Sequence, residues 1–430
     1  MNKKINKYNK FLSYESNKLK MEEFFLHDLA KQFKTPVYCY SVSQIKHNFI
    51  ELKNSFINCK PLICYAVKAN FNKNIIKILA NLGAGADVVS MGELKQSIKN
   101  GISKNKIVFS GVGKTLEELK FAIKKQIKQI NVESEEELED VIKICKVLGK
   151  TINVGLRINP NVDAKTHKKI STGRLEDKFG IPETRIVNIF EKYKNNRFVK
   201  ISSISVHIGS QIKSLEPFNL AFKKLRNLIL NLQKKSFIID SIDIGGGVGI
   251  IYDERKDKIF SIKKYVKLIE KYFSDFKKQI ILEPGRFLVG ESGIILSKVI
   301  RIKKGENRNF LIIDAGMNDL LRPAIYDAEH EILPVIEERN NHNQIVADIV
   351  GPICESSDVF SKNTTLPKMT SGDFLAIYSA GAYGAVMSSE YNSRPLIPEL
   401  IVNENLVSVV RSRPKIEDVI KRDQIPYWLR

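Results

Sequence analysis

The chain has few cysteines, and no motif in it is typical of a structural metal site. Its five cysteines are scattered over 430 residues and form no CxxC pair. The six histidines form no HExxH motif and no cluster. Without such spacings we expect neither a disulfide framework nor a zinc site, and unpaired cysteines fit a reducing cytoplasm. We therefore predict a cytoplasmic protein that holds no metal.

Long apolar stretches are also missing. No uncharged apolar segment is long enough to span a membrane as a helix. The first twenty residues, MNKKINKYNKFLSYESNKLK, are basic and polar and lack the apolar centre of a secretory signal. We predict no membrane partner.

Acidic residues are fewer than basic ones, 48 against 69, so the formal net charge is +21. Such an excess raises the alternative of a protein that binds nucleic acid. The lysines are instead spread over nearly every helical segment and form no single basic block. We therefore expect no nucleic-acid partner. Tight retention of DNA at physiological salt would support the alternative.

Short apolar runs rich in β-branched residues alternate with helical patterns between residues 60 and 285. The eight runs are 62–69, 86–90, 106–111, 129–134, 152–160, 202–210, 239–247 and 279–285. The segments between them, such as SEEELEDVIKICKVLG, have apolar residues at helical spacing, and several begin on Ser, Thr or Asn caps. This pattern predicts an α/β fold with a TIM-like (β/α)8 barrel, and a doubly wound open sheet is the alternative.

The residue pattern changes after Arg286, where β-rich runs such as GIILSKVIRIKK and DFLAIYSAGAYG replace the long helical patterns. We predict a cofactor-binding barrel over residues 46–286 and a C-terminal all-β barrel or sandwich domain over residues 287–430. Residues 1–45 contain the helical pattern MEEFFLHDLAKQF and the strand-like PVYCYS. They are predicted to pack on the C-terminal domain.

The first apolar run of the barrel carries Lys68 near its end, in YAVKAN. A buried ammonium is costly unless it is paired, neutralised or covalently used. The structural alternative is a lysine whose stem is buried and whose ammonium reaches solvent at the end of the strand. Because the chemistry of a (β/α)8 barrel lies at the C-terminal ends of its strands, Lys68 is a candidate reactive amine.

Other strand ends carry residues with a distinct chemical use. They are His207, Gly245, Gly246, Gly247, Glu283 and Arg286. Glycines let backbone N–H groups approach a phosphate, and a carboxylate can hold a protonated ring nitrogen. With an amine that condenses with an aldehyde, this set favours chemistry on pyridoxal 5'-phosphate. Each part also has a structural alternative: a tight turn, an ordinary structural histidine, or a structural salt bridge.

A family resemblance rests on motifs spread from TPVYCY to SRPLIPEL. These motifs are YAVKAN, GADVVSMGEL, STGRLEDKFGI, SVHIGSQI, DIGGGVG, EPGRFLV, DAGMNDLLRPAIYDAEH, GPICESSD and AGAYG. With them the chain resembles the barrel-type (fold type III) pyridoxal phosphate-dependent decarboxylases, and within these the diaminopimelate decarboxylases. The resemblance implies a carboxy-lyase that converts meso-2,6-diaminopimelate to L-lysine and CO2, the last step of lysine biosynthesis, with pyridoxal 5'-phosphate as cofactor.

The resemblance also implies a role for each matching residue. Lys68 would form the Schiff base, His207 would stack on the cofactor ring, and Glu283 would hold the ring nitrogen. The residues implied to lie around the rest of the cofactor are Ser210, Gly245, Gly246, Gly247, Pro284, Gly285, Arg286 and Tyr383. Those implied to bind the distal end of the substrate are Arg286, Arg322, Tyr326, Glu355 and Tyr383. Cys354 would be catalytic, near the carbon that is reprotonated, and Cys354 and Glu355 would enter from the other subunit of a homodimer.

The distal end of diaminopimelate separates this prediction from its relatives. That end carries a carboxylate and an ammonium, for which Arg322 and Glu355 offer opposite charges. Substrates of ornithine and arginine decarboxylases of the same fold have no distal carboxylate. The alternatives are such a decarboxylase, or a non-catalytic protein that binds pyridoxal phosphate.

Overall fold

The computed structural model describes residues 3–4, 9–164, 167–170, 172–174, 176–254, 256–337 and 344–430. They form two compact units. The first unit comprises the described residues within 1–45, 251–257 and 289–430, and the second those within 46–250 and 258–288. Among the helices of these described residues, none combines the length and the apolar character that a membrane span requires.

The strands of the described residues, in chain order, are β1 (Lys3–Lys4), β2 (Leu12–Glu15), β3 (Lys18–Met21), β4 (Phe24–Phe25), β5 (Val37–Ser41), β6 (Leu62–Ala66), β7 (Gly85–Val88), β8 (Ile107–Phe109), β9 (Gln129–Val132), β10 (Ile152–Asn159), β11 (Ile181–Pro182), β12 (Val199–Val206), β13 (Ser241–Asp243), β14 (Gln279–Leu282), β15 (Gly293–Lys304), β16 (Asn309–Ile313), β17 (Ile332–Pro334), β18 (Gln344–Val350), β19 (Val359–Pro367), β20 (Phe374–Ile377), β21 (Glu399–Asn403) and β22 (Leu406–Arg411).

The α-helices are α1 (Leu26–Phe33), α2 (Val42–Asn54), α3 (Lys73–Asn81), α4 (Met91–Lys99), α5 (Leu116–Lys125), α6 (Glu135–Leu148), α7 (Glu183–Tyr193), α8 (Glu216–Lys234), α9 (Ile262–Phe273), α10 (Arg286–Val289), α11 (Arg322–Tyr326) and α12 (Ile416–Ile420). Short 3-10 turns are formed by Val67–Ala69, Lys104–Lys106, Lys168–Ile170, Ser274–Phe276, Ala385–Met387, Tyr391–Ser393 and Tyr427–Leu429.

The second unit is built on a closed barrel of eight parallel strands. The strands follow one another as β6, β7, β8, β9, β10, β12, β13 and β14, and β14 pairs with β6 to close the ring. The short strand β11 adds to the end of β10 outside this ring. The predicted (β/α)8 barrel is therefore confirmed, and the open doubly wound sheet is wrong because the two edge strands pair with each other.

Local sequence explains why the barrel helices begin and end where they do. Thr115 and Glu118 form a reciprocal capping box at the start of α5. Ser134 caps α6 in the same position, and Gly149 ends that helix with a φ of 59°. Between these caps Leu138 lies on the buried face of α6 at helical spacing with other apolar residues. The helices thus present an apolar stripe, as their sequence pattern predicts.

The barrel interior changes from apolar to polar along the strands. Cys64, Val108 and Ile281 form a buried apolar cluster. Since strand residues alternate between faces, the residues two positions further along, such as Glu283 beyond Ile281, point toward the same interior. This alternation brings the polar ends of the strands together at one mouth of the barrel.

The first unit contains a separate mixed β-sheet. Its strands run in the order β19, β18, β16, β15, β5, β21 and β22, with β20 pairing to β15 and β17 to β20. The pairs β16–β18 and β5–β21 are parallel, whereas β15 pairs antiparallel with its neighbours. We predicted a C-terminal all-β barrel or sandwich domain, and the structure shows a separate domain built on this mixed β-sheet. The pattern MEEFFLHDLAKQF is helical only from Leu26, because Phe24–Phe25 pair with β3.

Candidate active site

Lys68 lies directly beyond the end of β6, in the single 3-10 turn Val67–Ala69. Its Nζ is 2.5 Å from Oδ2 of Asp87 on β7. The Asp87 side chain is fully buried, whereas 35% of the Lys68 side chain is exposed. The lysine amine therefore opens toward the mouth of the barrel and has a buried carboxylate as its ionic partner.

We did not identify Asp87 from the sequence. Its second oxygen, Oδ1, is buried and has no hydrogen-bond partner among the described residues. Such an atom calls for a partner outside the protein, because buried polar groups are nearly always satisfied. The sequence signal for Asp87 was an acidic residue inside the apolar strand GADV. In the structure Asp87 pairs in register with Ala66, and Ala66 lies two residues before Lys68.

His207 follows β12 and lies at the same mouth. The backbone N–H of Gly246 donates to His207 Nδ1 at 3.1 Å, so this nitrogen carries no proton and Nε2 carries it. Burial lowers the pKa of His207 well below its ordinary value, and the positive charges of Arg157 and Lys68 lower it further. The imidazole is therefore neutral and presents a flat, uncharged face.

Glu283 follows β14 and is almost entirely buried. Ser110 Oγ donates to Glu283 Oε1 at 3.3 Å. Burial raises the pKa of Glu283 well above its ordinary value, and the negative charges of Asp243 and Asp87 raise it further. Both effects favour the protonated form of Glu283. Asp243, on β13, is a second residue that we did not identify from the sequence.

Three glycines follow β13 in a tight turn. Gly245 and Gly247 have φ values of 68° and 96°, which residues with a side chain rarely adopt. A Cβ at Gly246 would collide with the backbone carbonyl of Glu283. The turn can therefore bring its backbone close to a ligand and to the neighbouring strand end only because it has no side chains.

An arginine and a serine lie near this turn in the same unit. Arg286, the first residue of α10, is buried, and its Nη2 donates to Ser210 Oγ at 3.0 Å. Together these residues provide the cation, hydroxyl and backbone N–H groups that a phosphate requires.

Pro284 and Gly285 follow the last barrel strand, β14, and contact the end of the first barrel strand, β6. The carbonyl of Pro284 accepts the N–H of Ala66 at 3.1 Å. A Cβ on Gly285 would lie 3.0 Å from that of Ala69 and 3.1 Å from that of Ala66. Both residues thus hold the chain on either side of Lys68. Their contact with a cofactor stays a prediction.

A cavity of about 180 Å³ opens within the barrel between the side chains of Lys68, His207 and Glu283. It is lined by Lys68, Val89, Ser110, Gly111, Asn131, Arg157, Thr172, Phe179, Ser205, Val206, His207 and Glu283. Ser205 Oγ is buried there and has no hydrogen-bond partner among the described residues. Arg157 pairs with Glu133 at 2.6 Å and lies over the ring of Phe179 at 4.8 Å. The cavity therefore combines a reactive amine with carboxylate, imidazole and aromatic groups.

We expect Gly246→Ala to weaken cofactor binding by about tenfold or more, because the added Cβ must displace the strand end that carries Glu283. Gly113→Ala is the matched control, since a Cβ at Gly113 meets nothing within 4 Å. Cofactor titration followed by absorbance measures both. Equal affinities of the two variants would contradict the close approach described above.

The remaining predicted site residues lie in the first unit. Arg322 begins α11 and is buried, with its guanidinium 4.3 Å from the ring centre of Tyr252. Arg322 Nη1 donates to His330 Nε2 at 2.7 Å, and His330 Nδ1 donates to the carbonyl of Tyr378 at 2.7 Å. This chain fixes the histidine tautomer and the orientation of the arginine. Tyr326, at the end of α11, is half-buried.

Cys354 and Glu355 lie on an exposed loop between β18 and β19. The buried carboxylate of Asp358 accepts the N–H groups of Ile353 and Met317, both at 2.7 Å, and so shapes this loop from within. Hydrogen bonds from Ser357 and then Tyr391 lower the pKa of Glu355 below its ordinary value. Glu355 is therefore a carboxylate at neutral pH.

Asn392 also orders the loop, because its side-chain oxygen accepts the N–H of Cys354 at 3.1 Å. Tyr383, in AGAYG, is half-buried and has a φ of 57°, in the left-handed region that non-glycine residues seldom occupy. Such backbone strain is common at functional sites.

Comparison with known proteins gives this geometry a context. Residues 42–290 match the family model described as "Pyridoxal-dependent decarboxylase, pyridoxal binding domain". The chain is 41% identical over 420 residues to diaminopimelate decarboxylase of Zymomonas mobilis, covering 97% of this chain and 99% of that protein.

Two solved structures are also similar. Diaminopimelate decarboxylase of M. jannaschii in complex with L-lysine matches with a TM-score of 0.93 and 35% identity, over 98% of this chain and 99% of that one. The enzyme of Helicobacter pylori in complex with L-lysine matches with a TM-score of 0.88 and 41% identity, over 92% and 98% of the two chains.

Proposed function

The chain belongs to the diaminopimelate decarboxylase family, and from that premise we propose that it converts meso-2,6-diaminopimelate to L-lysine and CO2. The observation that carries the proposal is the amine of Lys68, held at the mouth of the barrel 2.5 Å from Asp87. An amine in that position serves covalent catalysis on a carbonyl group.

The residues present fit pyridoxal 5'-phosphate, the cofactor of this family. Two buried polar atoms, Asp87 Oδ1 and Ser205 Oγ, lack partners among the described residues. Gly246 lies at a turn in which a Cβ has no room. When bound, the cofactor supplies an aldehyde and an electron-accepting ring.

The side chains of the barrel would each hold one part of that cofactor. The Lys68 amine would bind its aldehyde carbon, and the neutral His207 ring would lie against its face. Glu283 would take the ring nitrogen, and Arg286 with Ser210 and the three-glycine turn would take the phosphate. Tyr383 is proposed to lie near the phosphate as well.

Substrate specificity would come from the first unit. Arg322, oriented by His330, would supply a fixed guanidinium for the distal carboxylate, together with Tyr326 on the same helix. A contact of Arg286 with the substrate stays a prediction. Glu355, which is ionised, would pair with the distal ammonium. Decarboxylases whose substrates have no distal carboxylate do not need the arginine.

Cys354 and Glu355 are exposed in the single chain, which suits residues that act in a partner's site. We propose a homodimer in which this loop enters the active site of the other subunit. The Cys354 thiol would deliver a proton to the carbon that loses CO2.

The direct test is an assay of lysine formed from meso-diaminopimelate by the cofactor-loaded protein. We expect turnover of this compound, and little inhibition by an equal concentration of ornithine or arginine, because neither offers the distal carboxylate. A loaded protein that leaves diaminopimelate unchanged would refute the substrate. Turnover of ornithine or arginine instead would support the alternative decarboxylase.

A further inference from the structure

Asp243 lies beside the cavity and is part of a polar layer inside the barrel. Its side chain is fully buried. Oδ1 accepts the N–H of Gly245 at 3.0 Å, and Oδ2 accepts from Asn131 Nδ2 at 2.9 Å. Both oxygens of Asp243 thus receive hydrogen bonds, which favours the charged form of this carboxyl.

The donors to Asp243 are fixed in orientation. Asn131 Oδ1 accepts from Gln129 Nε2 at 2.8 Å, so the NH2 side of the Asn131 amide faces Asp243. Gly155, on β10, leaves the space for this pair of amides, since a Cβ there would collide with Asn131 Oδ1. The layer therefore holds Asp243 as an acceptor, because its fixed donors cannot easily turn to accept a hydrogen bond from it.

Asn131 and Ser110 connect Asp243 to Glu283, since Ser110 Oγ accepts from Asn131 Nδ2 at 3.2 Å and donates to Glu283 Oε1 at 3.3 Å. Burial and then the negative charge of Asp243 raise the pKa of Glu283. Two adjacent buried carboxyls do not both ionise near neutral pH, so the pair retains one proton. The pKa of Asp243 is raised to about 6, whereas that of Glu283 is raised well above its ordinary value. Since the donors already face Asp243, they favour the proton on Glu283, which lines the cavity. Asp87 and Lys68 are the other charged groups acting on Glu283, with opposite effects on its pKa.

We propose that Asp243 is a positioning residue that keeps a proton on Glu283 at the wall of the cavity, ready to be given to the ring nitrogen of the cofactor. In that step the O–H bond of Glu283 breaks and its electron pair stays on the carboxylate. The lone pair of the nitrogen forms the new N–H bond. The Asp243–Glu283 pair then carries two negative charges beside the new cation and stabilises it. This inference rests on the proposed function, because the cofactor provides the nitrogen.

The test compares two ligands on Asp243→Asn, a variant of nearly the same shape but without the charge. The ligands are pyridoxal 5'-phosphate and its 1-deaza analogue, in which carbon replaces the ring nitrogen. We expect the variant to bind the cofactor about tenfold or more weakly, in line with the loss of a hydrogen-bonded charge. The affinity for the deaza analogue should stay within about twofold, because no proton is transferred to it.

Asp348→Asn is the matched control, since Asp348 is also a buried aspartate that accepts a backbone N–H, from Asn363 at 2.7 Å, but lies in the first unit. It should bind both ligands like the unaltered protein. If Asp243→Asn does not fold, Asn131→Ala removes one of the donors and carries the same comparison. Equal losses for the two ligands would show a purely structural role and overturn the inference, as would no loss at all.

The outcome also separates this inference from the proposed function. Unaltered protein that does not bind the cofactor would refute the function itself. If Asp243→Asn changes the affinities for the cofactor and for its deaza analogue equally, only the proposed role of Asp243 is refuted.

Discussion

The decarboxylase activity of Lys68→Ala should be at least about a thousandfold lower than that of the unaltered protein. The reason is that, among the described residues that line the barrel cavity, only Lys68 carries an amine. The variant should also lose the visible absorbance of covalently bound cofactor. Borohydride reduction of the unaltered protein, followed by peptide sequencing, should place the label on Lys68. Both measurements report the bond rather than the fold.

Lys68→Arg separates the amine from its charge. Arginine keeps a cation near Asp87, but its guanidinium stays protonated and does not condense with an aldehyde. We expect this variant to fold and to be as inactive as Lys68→Ala. Lys143→Ala is the control for a lysine outside the site, since 71% of its side chain is exposed. A label on another lysine, or substantial activity in Lys68→Arg, would contradict the assignment of the amine.

Mixing two inactive variants should restore activity if the sites are shared between subunits. Lys68→Ala lacks the amine, and Cys354→Ala lacks the proposed proton donor. Random exchange of subunits makes half of the dimers mixed, and each mixed dimer has one complete site. We therefore expect about a quarter of the unaltered activity after the two variants are mixed under conditions that exchange subunits.

The control for this experiment is each variant taken separately through the same exchange. Sedimentation of the mixture shows whether dimers have formed again. Dimers without recovered activity would mean that Lys68 and Cys354 act within one chain. An active monomer would exclude the shared site altogether.

Several site residues could be found from the sequence because their position follows from local pattern. Lys68, His207 and Glu283 each come at the end of an apolar run, and parallel strands end at one mouth of a barrel. Asp87, Asn131 and Asp243 were missed although the same rule of alternation applies to them. Asn131 and Asp243 lie two residues after Gln129 and Ser241 on the same strands, so a search for polar residues at period two would have found them.

The sequence by itself determined which segments become strands and helices, and hence the barrel, because periodicity and capping act between residues close in the chain. Only the tertiary structure decided that Lys68 meets Asp87 and that Asn131 and Ser110 link Asp243 to Glu283 in one buried layer. These depend on contacts between strands far apart in sequence and on how far each carboxyl is removed from water. Charge interactions in a buried layer are set by that geometry, which no local pattern encodes.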